Sequence, residues 1–277
     1  MPWPLAIGLE DLNQRLLYTH PSAYRRSPKP EAVMETAMMR MNPTLDVSAL
    51  AKSFDENGRV HIPEFLHAED AKALYERLRY RNDWVQVLAT TNDAVELDRP
   101  TRAQLDDEQV KALNNAVYGQ ARYGFQYRFE TVRVPDSASE RAAGTDIIFS
   151  FANFMSTDSV RDFLRTITGS AEIEYADAQA TAYAPGDFLT GHDDAVEGKF
   201  RRAAYVFGLT PVWRLEWGGL LLFHGSDGHV DCGWVPTFNT LNLFKVPQLH
   251  SVSEVTQAAA YRRYAITGWL RAHEQPD

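Results

Sequence analysis

Cysteine is almost missing from this chain. Cys232 is the single one, which excludes an internal disulfide framework and any multi-cysteine zinc site, so a bound metal has to be held by His, Asp and Glu. No apolar run is long enough to span a bilayer. The opening Met1-Pro2-Trp3-Pro4 lacks the basic and apolar regions of a secretory signal, and a cytoplasmic location with no membrane partner is expected. Positive charge is in deficit: the formal net charge is −9. That argues against a nucleic-acid binder and is compatible with a basic protein or peptide partner. Several catalytic signatures are also absent. There is no His-Glu-x-x-His of a zincin peptidase, no Gly-x-Ser-x-Gly elbow, no Walker A loop, and no Gly-x-Gly-x-x-Gly after a strand.

What remains is an ordinary globular composition, 44% hydrophobic and 23% charged over 277 residues, enough to bury a substantial core. Residues 1–45 hold short amphipathic pieces such as Leu9 to Leu17, broken by Pro21, Pro28, Pro30 and Pro43, and are expected to form an N-terminal arm. From Val60 the pattern is regular. Val60, Ile62 and Phe65 around Pro63 predict a short edge strand. Helices are predicted over Ala68 to Leu78, from about Ala103 to Ala121, and after an N-cap at Ser156-Thr157-Asp158, with Gly169 as the stop. Phe125, Tyr127 and Phe129 alternate as in a strand. After Gly169 the chain turns to short β-branched and aromatic segments: Ile173 to Ala184, Arg202 to Leu209, Gly219 to Phe223, Thr240 to Val246 and Arg263 to Leu270. Helices followed by a run of strands imply an α+β fold, or a barrel or jelly roll with a helical flank.

The eight histidines are unevenly informative. Tyr183-Ala-Pro-Gly-Asp-Phe-Leu-Thr-Gly-His192-Asp193-Asp194 runs from a strand into a turn that carries an imidazole and a carboxylate two positions apart. In extended backbone such residues face the same side, which favours Asp194 over Asp193 as the partner of His192. A third nitrogen donor would complete a two-His, one-carboxylate face with positions left open for a co-substrate and dioxygen. Read alone, the segment is better explained as a hydrophilic turn that happens to hold His-Asp-Asp, since His-x-Asp is a loose pattern. Downstream, His250 follows the strand-like Leu241-Asn-Leu-Phe244 and precedes Arg263-Tyr-Ala-Ile-Thr-Gly-Trp269. On a strand, Arg263, Ala265, Thr267 and Trp269 share a face, and an Arg there without a nearby acid suggests a bound carboxylate.

These motifs together resemble the prolyl 4-hydroxylase family of 2-oxoglutarate- and Fe(II)-dependent dioxygenases, over residues of about 170 to 270. The matching features are Tyr183, Gly186-Asp-Phe-Leu, His192-x-Asp194, Arg202 to Leu209, Trp217-Gly-Gly-Leu220, Phe244, His250-Ser-Val252 and Arg263 to Trp269. The resemblance implies a double-stranded β-helix (jelly-roll, cupin-like) with helical support in residues 46–169 and a catalytic β-core in 170–272. It implies His192, Asp194 and His250 as catalytic iron ligands, Arg263 and Tyr183 on the far carboxylate of 2-oxoglutarate, and Thr267 near the co-substrate. Gly208 stands where some relatives carry a second tyrosine. The implied cofactors are Fe(2+), 2-oxoglutarate as co-substrate, and ascorbate. The implied reaction consumes O2 and hydroxylates proline in a protein or peptide, releasing succinate and CO2. Hydroxylation of a free amino acid or other small molecule, and a non-catalytic 2-oxoglutarate sensor, are the competing readings. His224-Gly-Ser-Asp-Gly-His229 reads as a polar turn, His61 and His67 as structural, and Trp213 and Trp217 as core aromatics. Arg201 and Arg202 are either solvated or steer an acidic co-substrate.

Overall fold

The computed structural model describes residues 39–89 and 94–272. The amphipathic piece Leu9 to Leu17, Pro21, Pro28 and Pro30 of the expected arm, His20 and His273 lie outside them. Helix α1 (Val47–Asn57) starts where Asp46 accepts from the Ala49 N–H and stops at Gly58, whose φ is +66°. Strand β1 (Arg59–Ile62) follows, then α2 (Ala68–Tyr80), which buries Ala71, Leu74 and Leu78 on the face set by their spacing. Strands β2 (Val85–Ala89) and β3 (Ala94–Asp98) pair with each other and lead into a single turn, α3 (Arg99–Arg102). Helix α4 (Asp107–Ala121) begins later than Ala103, because Asp106 and Gln109 form a reciprocal capping box that fixes its first turn. After β4 (Tyr127–Arg133) come α5 (Ala138–Ala143), α6 (Ile147–Met155) and α7 (Asp158–Thr168). The last ends at Gly169, left-handed at φ +67°.

The remaining chain is β5 (Tyr175–Ala176), β6 (Gln179–Tyr183), β7 (Phe188–His192), β8 (Arg201–Leu209), β9 (Leu221–His224), β10 (Val230–Trp234), β11 (Phe238–Lys245), β12 (His250–Val252) and β13 (Arg263–Arg271). The strands form one sheet, paired antiparallel, in the order β1-β11-β8-β13-β6-β4-β7-β12-β9-β10. Strand β4 is the hinge of that path, pairing with β6 through Glu130 to Arg133 and with β7 through Tyr127 and Arg128. The two ends of the path meet. Arg59 of β1 pairs with Asp231 of β10 at 2.5 Å, the His61 ring packs 5.5 Å from Trp234, and Phe223 of β9 packs edge-on against Phe244 of β11 at 5.2 Å. A twisted sheet that curls until its first and last strands touch encloses an interior.

Alternation along the strands sorts side chains between that interior and the helices. On β8, Tyr205, Phe207 and Leu209 face the helical layer, while Ala204 and Val206 face inward. On β13, Tyr264, Ile266 and Leu270 join the helical core and Ala265 the inner cluster. Both faces are covered, which is why β8 reads as an almost unbroken apolar run. Phe207 is fully buried, stacked on Phe151 of α6 at 5.1 Å and edge-on to Phe65 at 5.8 Å. Phe207→Ala is expected to lower the unfolding free energy by about 3–5 kcal/mol, measurable by urea denaturation. An α+β chain with this curled antiparallel sheet and one helical flank is a double-stranded β-helix.

Candidate metal centre

Strand β7 ends on His192 and β12 opens on His250, and the two residues are direct partners across the strand pair. Their ring centroids are 4.1 Å apart. Each Nδ1 faces a backbone carbonyl, that of Thr190 at 3.0 Å and that of Gln248 at 2.7 Å. A carbonyl only accepts, so Nδ1 carries a proton in both rings and Nε2 is the nitrogen each ring turns toward the Asp194 carboxylate. Burial, then the neighbouring His192, push the His250 imidazole down to about 4. At neutral pH it therefore offers its Nε2 lone pair without first shedding a proton.

Asp194 supplies the carboxylate. Its Oδ1 lies 3.5 Å from His192 Nε2 and its Oδ2 3.5 Å from His250 Nε2. Both distances exceed hydrogen-bond length, and the carboxylate accepts no hydrogen bond from any described residue. Ligand atoms of the three residues lie within 4.8 Å of one another. They converge without bonding to each other, near the roughly 3 Å spacing that donors about 2.1 Å from one ion adopt at right angles. The same-side rule for extended backbone is not how Asp194 gets there. The chain leaves the strand at His192, and Asp194 sits in the left-handed region at φ +64°, which Asp tolerates better than most residues. Asp193 is exposed, and its carboxylate is occupied by the Ala195 N–H at 3.1 Å.

The centre opens on a cavity of about 80 Å³, on a measure where a water takes roughly 10–15 Å³, so a small diacid has room. His192, Leu189, His250, Val252 and Leu221 line one side; Tyr183, Ala204, Val206, Arg263, Thr267 and Trp269 line the other. The face sharing expected of Arg263 and Thr267 is therefore present. Arg263 is 4% exposed, yet it makes no hydrogen bond or ion pair with any described residue. Its one close neighbour of note is the Tyr183 ring, 5.0 Å from the guanidinium carbon. Burial lowers its pKa from the usual arginine value. A buried, unpaired guanidinium facing a cavity is costly unless an anion arrives. Tyr183, its register partner on β6, stacks on Phe129 at 5.1 Å, and its hydroxyl has no hydrogen-bond partner among the described residues.

The other singled-out residues separate cleanly. His224 Nε2 contacts Ser251 Oγ at 2.8 Å, away from the three-residue cluster, and Asp227 caps the His229 N–H in an exposed turn. His61 contacts Asn242 at 2.7 Å, and His67 stands at the start of α2. Trp213 and Trp217 pack edge-to-face, both partly buried. At Gly208 an added Cβ would come within 2.2 Å of the Thr237 carbonyl oxygen, so the tyrosine of some relatives has no place there. Arg202 pairs with Glu172. Arg201 behaves differently: it lies against Trp269 and reaches the Asp194 backbone. Counted back from the inward Ala204 and Val206, strand alternation alone would turn Arg202 inward; the irregularity between Ala203 and Arg201 in the pairing with β13 gives that side to Arg201 instead.

The sequence model described as the 2OG-Fe(II) oxygenase superfamily matches residues 178–271. The chain is 34% identical over 124 residues to the prolyl 3-hydroxylase sudestada1 of Drosophila melanogaster, covering 40% of this chain and 22% of that protein. It is 33% identical over 120 residues to the prolyl 3-hydroxylase OGFOD1 of Xenopus laevis, covering 41% and 23%. The chain thus spans under a quarter of the length of these curated relatives. Among solved structures, a prolyl-4-hydroxylase from Pseudomonas putida superposes with a TM-score of 0.54 at 18% identity, over 81% of this chain and 98% of the other. A prolyl hydroxylase of Trichoplax adhaerens, solved with a hypoxia inducible factor peptide fragment, gives 0.55 at 16% identity, over 82% and 89%. Residues 178–271 are thus similar to the 2OG-Fe(II) oxygenase superfamily, and the fold is similar to that of prolyl hydroxylases of known structure.

Proposed function

We propose that the chain is an Fe(II)- and 2-oxoglutarate-dependent dioxygenase that hydroxylates a prolyl residue in a protein or peptide, releasing succinate and CO2. The observation that carries this reading is the pairing, in one cavity, of a two-His, one-carboxylate face with a buried arginine that has no hydrogen-bond or ion-pair partner among the described residues. Two imidazoles and a carboxylate form the donor set of non-haem Fe(II) oxygenases. His192, Asp194 and His250 would hold Fe(2+), which when bound supplies activation of O2 coupled to decarboxylation of the co-substrate. Arg263 anchors the far carboxylate of 2-oxoglutarate through its planar fork, Tyr183 donates its hydroxyl to the same group, and Thr267 lines the pocket beside it. The apolar walls contributed by Leu189, Val206, Leu221 and Val252 exclude bulk water from the reacting centre.

The lining also bears on the substrate. Apart from the two imidazoles, its ionisable groups of opposite charge are Asp194 and Arg263, both committed in this scheme. A free amino acid would bring an ammonium and a carboxylate with no further partners, whereas a residue within a peptide brings neither. The net charge of −9 favours a basic peptide. Among the described residues no helix is long and apolar enough to cross a membrane. The reading is completed by a cytoplasmic location, no nucleic-acid partner, ascorbate as the reductant that sustains turnover, and an arm of residues 1–45 ahead of the dioxygenase domain.

Two linked measurements on the purified chain test this proposal. The first is succinate formation from 2-oxoglutarate with Fe(II) and O2. The second is a +16 Da product on prolyl peptides. Wild type is expected to give both, and His192→Ala neither. Equal succinate release by the two proteins would defeat the proposal, and turnover on free proline with none on peptides would replace its substrate class.

A further inference from the structure

Asp194 faces the two imidazoles from a strained position. It lies just past the end of a strand, with φ at +64°, and its side chain is not hydrogen-bonded to any described residue. Something else must keep that carboxylate turned inward, because an acidic side chain beside an apolar cavity gains by swinging out to water. The backbone carbonyl of Asp194 supplies the fixing point. Arg201 Nη1 donates to it at 2.9 Å. The guanidinium carbon of Arg201 lies only 3.5 Å from the centroid of the Trp269 ring. Arg201 opens β8 and Trp269 is on the adjacent β13, whose own backbone is tied down through Trp269 N–H to Asp177 at 2.6 Å. A flat cation on an indole face is held in one plane, so its donor direction is set. Among the described residues neither Arg201 Nε nor Trp269 Nε1, both buried, has a hydrogen-bond partner, so stacking and the bond to the Asp194 carbonyl are what place the two groups.

We propose that Arg201, seated on Trp269, is a positioning residue that holds Asp194 in its left-handed conformation and thereby sets the carboxylate into the metal face. The inference rests on the reading of His192, Asp194 and His250 as a metal site, but it concerns how the site is built. It also makes a claim opposite in sign to plain electrostatics. A cation near a metal site repels the metal, so removing its charge should tighten metal binding. If Arg201 acts by positioning, removing it weakens binding instead. The indole has a geometric role as a platform, so the hydrogen on Nε1 is dispensable.

The test is titration of metal-free protein with Co(II), without 2-oxoglutarate or substrate, followed by calorimetry and by the visible spectrum of the bound ion. Arg201→Met is expected to weaken Co(II) by about 10- to 100-fold, the range seen when partners that orient ligands are removed, and to alter the spectrum. Arg201→Lys should recover part of the loss, Trp269→Phe should stay within about threefold of wild type, and Trp269→Leu should fall towards Arg201→Met. Melting of the metal-free proteins checks that all are folded. Unchanged or tighter Co(II) binding in folded Arg201→Met would overturn the positioning role while leaving the metal site standing. A Trp269→Phe protein as weak as Trp269→Leu would overturn the platform. Failure of wild type to bind Co(II) would overturn the metal site, and this inference with it.

Discussion

Asp194→Ala is expected to reduce 2-oxoglutarate turnover by at least about 100-fold without destabilising the metal-free fold. The size follows from what is lost. Removing a partner that merely orients a ligand typically costs about 10- to 100-fold in metal affinity or activity, and Asp194 contributes the single carboxylate of the three-residue cluster. The absence of a stability cost follows from its surroundings. The side chain is 8% exposed and lies 3.5 Å from each imidazole, beyond hydrogen-bond reach, and it accepts nothing else from the described residues. Truncating it leaves no donor unsatisfied and relieves a carboxylate that is poorly solvated. The left-handed backbone at this position favours Asp over Ala and offsets that gain, so the melting temperature without metal should stay close to wild type, while the stabilisation that wild type gains from added Fe(II) or Co(II) should disappear. A variant that retains both turnover and metal-dependent stabilisation would remove Asp194 from the site.

Arg263→Leu should separate function from stability in the same way, and more sharply. Hydrogen bonds to charged groups contribute about 1.5–3 kcal/mol each, so losing a two-pronged contact to a carboxylate corresponds to weakening 2-oxoglutarate by roughly 100-fold or more. At the same time the variant removes a guanidinium that is 4% exposed with no hydrogen bond or ion pair to any described residue, and buried charges replaced by apolar groups often stabilise the fold. The expected pair of results is a higher melting temperature for the free protein and a KM for 2-oxoglutarate raised by two orders of magnitude or so. Arg263→Lys keeps the charge but loses the planar fork, and should recover only part of the affinity. A drop in stability together with unchanged 2-oxoglutarate affinity would mean that Arg263 serves the fold and not the co-substrate.

The sequence was most readable where a strand is covered on both faces or a helix is strongly one-sided. The inward set Arg263, Ala265, Thr267 and Trp269 follows from period-two alternation, and β13 realises it. Helix α7 was legible because Val160, Phe163, Leu164 and Ile167 recur at helical spacing ahead of Gly169. Helix α6 was not, since Ile147-Ile-Phe-Ser-Phe-Ala-Asn-Phe-Met155 is apolar nearly all round and carries little periodic signal. Helix α1 buries only Phe54 fully, so its face is faint. The start of α4 was misjudged because the Asp106–Gln109 capping box outweighed the apolar spacing that began earlier. The β2–β3 pair was missed because β3, at a sheet margin, buries none of its residues fully.

The site shows the same division. Residue types and order located His192, Asp194, His250 and Arg263, and the structure brings the first three within 4.8 Å. The route by which Asp194 arrives was not legible, because a left-handed residue after a strand leaves no periodic trace. The contact of Arg201 with Trp269 was hidden for a related reason. It depends on β8 lying beside β13, where Arg201 pairs with Arg271 and Ala204 with Trp269, and strand neighbours so distant in sequence cannot be read from either segment alone.

The most direct test of the central claim is an anaerobic crystal structure with Mn(II) and 2-oxoglutarate. It should show one ion roughly 2.0–2.2 Å from His192 Nε2, His250 Nε2 and an Asp194 oxygen, with a carboxylate of the co-substrate paired to the Arg263 guanidinium. An ion bound elsewhere, or 2-oxoglutarate lying away from Arg263, would contradict it.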